Sequence, residues 1–147
     1  SYNEKTPNEN RNMRELETDW WYLSLPEDWL VDQDDDSIVI TDPDEVGVIT
    51  LTSMINDSRD RDRALQELIA ALDVDAKALA PATLGDFEGY YSEFQDGDDW
   101  VREWYLACDS CLLLVSYDCD PDNRHMDREI IDQILDTLCL KALDESG

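Results

Sequence analysis

From Trp20 onward, apolar and polar positions fall into short blocks with the periods of strands and helices. Trp21, Leu23 and Leu25 alternate with Tyr22 and Ser24, which predicts a strand with one buried face, ended by Pro26. Asp34-Asp35-Asp36 reads as a turn, Ser37–Thr41 as a short strand and Val46–Met54 as a longer one. Between those two strands, Asp42-Pro43-Asp44-Glu45 has a proline where a tight turn favours it, so 37–54 predicts a β-hairpin. Leu65, Leu68, Ile69 and Leu72 then recur at helical spacing within Arg63–Asp73. The connection Val74–Pro81 either extends this helix or forms a short one of its own.

Three further strands follow, at about Thr83–Phe94, Asp99–Ala107 and Cys111–Cys119, joined by Gln95-Asp96-Gly97-Asp98 and Asp109-Ser110. In the middle strand, Trp100, Trp104 and Leu106 share a face with Arg102. Cys111–Val115 is almost wholly apolar, as expected of a central strand covered on both faces. Met126, Ile130, Ile131, Ile134, Leu135 and Leu138 form a helical stripe, predicting a final helix over Asn123–Leu140 capped by Asp122 or Asn123. The order is β-β-β-α-β-β-β-α. That is an α+β fold: an antiparallel sheet of about six strands with two main helices packed on it. Residues 1–18 are polar and read as a flexible arm, turning helical near Met13–Leu16. Residues 19–142 form the single domain and 143–147 a tail.

Two of these segments carry a resemblance. Trp21-Tyr22-Leu23-Ser24-Leu25-Pro26-Glu27-Asp28-Trp29 runs into Ile38–Asp44 and Gly47–Ser53. Leu112–Tyr117 precedes the Ile131, Ile134, Leu135 and Leu138 stripe. Together they resemble the opening and closing elements of the PsbP-like (DcrB-like) α/β sandwich proteins, over about residues 20–140. The resemblance implies the same sandwich and a role in binding other proteins. Members of that group include photosystem subunits, a binder of a small GTPase, and chaperones or accessory proteins of bacterial toxin delivery. It carries over no shared catalytic residue.

Charge changes the picture most. Asp and Glu number 37 against 11 Lys and Arg, for a net charge of −26 over 147 residues. With 42% hydrophobic residues, this is a folded acidic protein and not an acidic tail. Three origins fit: a basic protein partner, a host living in high salt, or mimicry of nucleic acid. Direct nucleic-acid binding is disfavoured, because releasing counterions from phosphates needs Lys and Arg. No apolar run is long enough for a membrane span, and the first residues lack a secretory signal core. Cys108, Cys111, Cys119 and Cys139 are too few for a disulfide scaffold in a chain of this length. They read as reduced thiols of a cytoplasmic protein.

Asp118, Asp120, Asp122 and Glu129 fall at positions 1, 3, 5 and 12 of a calcium loop, with Asn123 where glycine normally sits. His125 at position 8 and a strand as the entering element depart from that pattern. The competing reading is a turn whose aspartates cap the last helix. A zinc set of Cys108, Cys111, Cys119 and His125 is excluded by length: Cys111 and Cys119 stand about 26 Å apart along one strand. The lone His125 among aspartates does not make a nucleophilic triad, and no glycine-rich phosphate loop is present. The expected cofactor is therefore none, with calcium as the one metal the spacing admits.

Binding is better supported than catalysis. Asp34, Asp35 and Asp36 form one acidic turn; Asp96, Asp98 and Asp99 form another beside Trp100. Acids around an aromatic suit a basic protein partner, since charge speeds encounter and the aromatic holds the complex. The leading expectation is a non-enzymatic immunity protein that neutralises a basic secreted bacterial toxin by occlusion. The alternatives are a chaperone or adaptor of a toxin-delivery system, and a binding protein of a salt-loving organism.

Overall fold

In the computed structural model, residues 12–34, 37–55, 60–72, 79–108 and 111–141 are described. The alternation in Trp21–Pro26 (β2) buries Trp21, Leu23 and Leu25 completely. Burying side chains of this size contributes about 1.5–3 kcal/mol each. β2 lies between Met13–Glu17 (β1) and the two-residue strand Cys139–Leu140 (β10), making a small three-stranded sheet. Leu30–Gln33 (β3), Ser37–Thr41 (β4), Gly47–Ile55 (β5), Ala80–Leu84 (β6), Phe87–Asp96 (β7), Asp99–Cys108 (β8) and Cys111–Cys119 (β9) form the large sheet. Its order is β3-β4-β5-β9-β8-β7-β6, antiparallel throughout.

The large sheet is sandwiched. Leu113, Val115 and Tyr117 of β9, Trp104 and Leu106 of β8, Phe87 of β7 and Ile49 and Leu51 of β5 point to its inner face. There they meet the small sheet and the helix Arg128–Leu135 (α2), which contributes Ile131, Ile134 and Leu135. On the outer face, the helix Arg61–Ala71 (α1) lays Leu65 and Ile69 on Tyr105 and Ala107, with Leu112 and Leu114 alongside. Asp60 caps α1, its carboxylate accepting the Arg63 N–H at 3.1 Å.

The described residues hold ten strands in two sheets where the sequence predicts about six in one. The α+β class and the antiparallel pairing hold. The extra strands have physical reasons. Met13–Glu17 was expected to be arm or helix, but it pairs with β2 while leaving most of its side chains exposed, so it shows no apolar signal. Leu30–Gln33 is a short, largely exposed edge. The expected strand 83–94 is two, divided at Gly85 (φ +57), whose left-handed turn sits against the Leu138 carbonyl. The final helix is also shorter than the apolar stripe. Pro121–Asn123 is a 3-10 turn capped by the Asp120 side chain, and α2 begins only at Arg128. It ends where the Thr137 hydroxyl donates to the Ile134 carbonyl and accepts the Ser24 N–H. Leu140 then pairs with Trp21. Leu138 stays buried as part of the turn into β10.

Candidate functional site

The register gathers three connections at one end of the sandwich. The β4–β5 turn (Asp42–Val46), the β7–β8 turn (Gly97–Asp98) and the β9–α2 connection all leave from the row where Gly47 pairs with Cys119 and Cys119 with Trp100. All are rich in aspartate, so this end is an acidic pole. Asp44, Asp96, Asp98, Asp99, Asp120 and Asp122 are exposed there. Asp42 is different: it is 4% exposed, and its carboxylate accepts the N–H groups of Asp44, Val46 and Gly47, each at 3.1 Å. It shapes the turn and is not available to a ligand.

Beside Asp42 lies a cup of about 380 Å³, with Asp28, Asp44 and Glu129 at its acidic side and Trp29, Pro43 and Ile130 among its apolar lining. Trp29 is 3% exposed and its indole N–H has no partner among the described residues, and the nearby Tyr117 hydroxyl is buried beside Cys119. Burial, with Cys119, Asp127 and Asp42 adding to it, raises the Tyr117 pKa, so it stays a neutral phenol.

The inner face near this pole carries a polar lock between sheet and helix. Glu93 of β7 receives a two-pronged pair from Arg128 of α2, at 2.8 and 2.9 Å. It also accepts the Tyr91 hydroxyl at 2.8 Å and the Trp100 indole N–H at 2.7 Å. The Arg128 hydrogen bonds are the main cause that holds the Glu93 carboxyl at about 2, well below the carboxylate range. Next to it Arg102, 4% exposed, donates to Tyr91 Oη and to Asp132 Oδ1, both at 2.7 Å. Its guanidinium also lies over the rings of Trp104 and Tyr91. Apart from Trp100, expected as a partner contact, no residue of this cluster is marked by a sequence motif. The available signal was Arg102 itself, a charge at an inward position of an apolar strand.

The structure separates the predicted contact residues. Asp34 sits at the β3–β4 turn, its N–H donating to the Ser37 carbonyl; Asp35 and Asp36 lie outside the described residues. Ser37 of that turn lies three strand spacings sideways and six residues along the strands from Asp99 at the β7–β8 turn, about 25 Å away. Trp100 is not an exposed anchor beside Asp99. It is half-buried on the inner side, bonded to Glu93 with the Arg124 guanidinium over its ring.

The calcium pattern does not close. Among the described residues no three His, Cys, Asp or Glu side chains converge on a metal position. Asp120 caps the 3-10 turn by accepting the Asp122 N–H. Asp118, whose side chain alternates to the outer face, is drawn into a different group. Its carboxyl is raised by burial first and then by Asp99, Glu103 and Asp96. His125 is exposed. Cys108, Cys111 and Cys119 are buried thiols and Cys139 is exposed; burial pushes Cys111 up to about 11. Cys108 and Cys111 face each other across the β8–β9 pair.

No family model matches the chain, and no curated protein matches it. Solved structures do resemble it. One is a crystal structure from Bacteroides thetaiotaomicron VPI-5482, with a TM-score of 0.64 and 16% identity. The match covers 87% of this chain but only 47% of that one, so this chain spans about half its length. A second is LpqN of Mycobacterium tuberculosis, a protein involved in cell envelope biogenesis. Its TM-score is 0.55 at 15% identity, covering 90% of this chain and 92% of LpqN. At these identities the likeness is one of fold. Among the described residues no helix is long and apolar enough to cross a membrane.

Proposed function

We propose that this chain is a non-enzymatic binding protein whose partner is a basic protein, held at the acidic pole. The observation that carries the reading is the supply of charge at that end. Three connections bring aspartates together, while Arg128 is occupied by Glu93 and Arg102 by Asp132. The field there is thus left anionic, which steers and holds a cationic surface. The concrete form is an immunity protein that occludes the cationic active site of a secreted toxin, acting in the cytoplasm where its four cysteines stay reduced. The sandwich is then of the PsbP-like kind, a type whose members mostly bind proteins. Co-expression tests this reading: each basic protein encoded beside the gene is produced alone and with this chain. Restored growth for one otherwise toxic neighbour is the expected result. Failure of every such neighbour to bind or to be neutralised overturns the immunity reading.

A second reading is an adaptor of the cell envelope or of a secretion system. It is supported by the likeness to LpqN along nearly the whole of both chains. In that case the partner is an envelope or effector protein, and the binding survives where no toxin is encoded nearby.

A further inference from the structure

Among the described residues, the outer face of the large sheet is only half covered. α1 packs over the Tyr105, Ala107, Leu112 and Leu114 end. Toward the acidic pole no described element lies on it. The register defines two bare rows. One runs Val39, Thr50, Ser116, Glu103 from β4 to β8. The next runs Thr41, Val48, Asp118, Val101. All but Val101 are part-exposed although they sit in the middle of a sheet. At about 4.8 Å per strand, four strands make a platform about 14 Å wide.

We propose that this platform is the docking surface for a lysine- and arginine-rich face of a folded protein partner. The proposal rests on the basic-partner reading above and says where that partner sits. Charge complementarity selects the occupant. None of the outward positions in either row is Lys or Arg. Glu103 and Asp118 are diagonal neighbours on adjacent strands, close enough to feel each other, and Asp99 and Asp96 stand at the same end. Burial first, and then the charges of Asp99, Glu103 and Asp96, raise the Asp118 carboxyl, so an arriving cation relieves repulsion already present. Thr50, Ser116 and Thr41 supply hydroxyls that give and accept hydrogen bonds to a polar partner. A second copy of this chain is disfavoured, since it brings the same negative charge to the contact. Nucleic acid is disfavoured for the same reason.

Cytochrome c, a small lysine-rich globular protein, serves as the probe. The isotopically labelled chain is titrated with it at about 0.05 M and about 0.15 M KCl, a range over which screening grows, and amide shifts are mapped. The titration is repeated with Glu103→Gln/Asp118→Asn and with Glu15→Gln/Asp19→Asn, which removes equal charge from the small-sheet side. The expected result is shifts centred on Thr50, Ser116 and Asp118, with affinity lowered about tenfold by the first pair, as for a loss of about 1.4 kcal/mol, and less than about twofold by the second. Equal weakening by both pairs, or shifts centred on the cup at Asp44 and Glu129, overturns the platform while the basic-partner reading stands. No binding by the parent chain at either salt overturns both. The spectra of the free variants report whether each is folded.

Discussion

Replacing Glu93 with glutamine removes one charge from the lock between β7 and α2 and keeps the side-chain shape. Glu93 carries four hydrogen bonds, two of them from Arg128. A glutamine has one carbonyl oxygen for those donors and turns an N–H₂ group toward the rest. The folded carboxyl is held at about 2 against an ordinary 4.5. At ~1.36 kcal/mol per tenfold change in proton affinity, that difference corresponds to about 3.4 kcal/mol. Glu93 and Arg128 keep 21% and 34% of their side-chain exposure, so water screens the pair and about 1–2 kcal/mol is expected in practice. The sign follows from the depressed value. The stabilisation is complete above the unfolded carboxyl's 4.5 and is lost as pH falls toward about 2. Urea unfolding followed by tryptophan fluorescence gives the gap between parent and Glu93→Gln. The titrating part of that gap should shrink by about two-fifths between about pH 7 and about pH 3.5. A gap below about 0.5 kcal/mol at neutral pH, the range of an ordinary surface substitution, or one indifferent to acid, would refute the reasoning.

Four other outcomes are expected. Arg102→Met changes stability by less than about 1 kcal/mol, because a buried charge with one unpartnered nitrogen is exchanged for an apolar chain. Asp132→Ala, which strands that guanidinium, costs about 1–3 kcal/mol. The reverse ranking in urea melts would contradict the lock. Raising KCl from about 0.05 to about 1 M should raise Tm by screening self-repulsion at −26; a flat or falling Tm would show that the surface charge is not destabilising. A thiol reagent at neutral pH should label Cys139 quickly and the three buried cysteines only after denaturation. Fast native labelling of Cys111 would show an opening that its burial does not allow.

Legibility in the sequence followed burial contrast. β2, β4, β5 and β9 alternate between buried and part-exposed positions and β8 is a nearly continuous buried run, and each is visible in the sequence to within a residue or two. β1, β3 and β10 are held by backbone pairing with little side-chain burial, so no pattern announces them. The stripe of the last helix misled because Met126 and Leu138 keep helical spacing without being in α2; Met126 is 63% exposed. For the site, the acidic turns were plain, but their relation was not. Only register shows that Asp34 and Asp99 stand at opposite corners and that Asp118 joins Asp99 instead of Asp120. The pairing of Glu93 with Arg128 spans 35 positions and has no local signature.

The small sheet has a temporal consequence. Its middle strand, around Trp21, is flanked by residues 13–17 on one side and 139–140 on the other. During synthesis the meander β7–β8–β9 and the β1–β2 pair can both zip from local contacts, while the other edge of β2 waits for Cys139–Leu140, more than a hundred residues further along the chain. The inner layer is thus completed last, when the end of α2 and Cys139–Leu140 arrive together. Late closure of a tryptophan-bearing layer over an already formed sheet is the order expected from contacts so far apart in sequence.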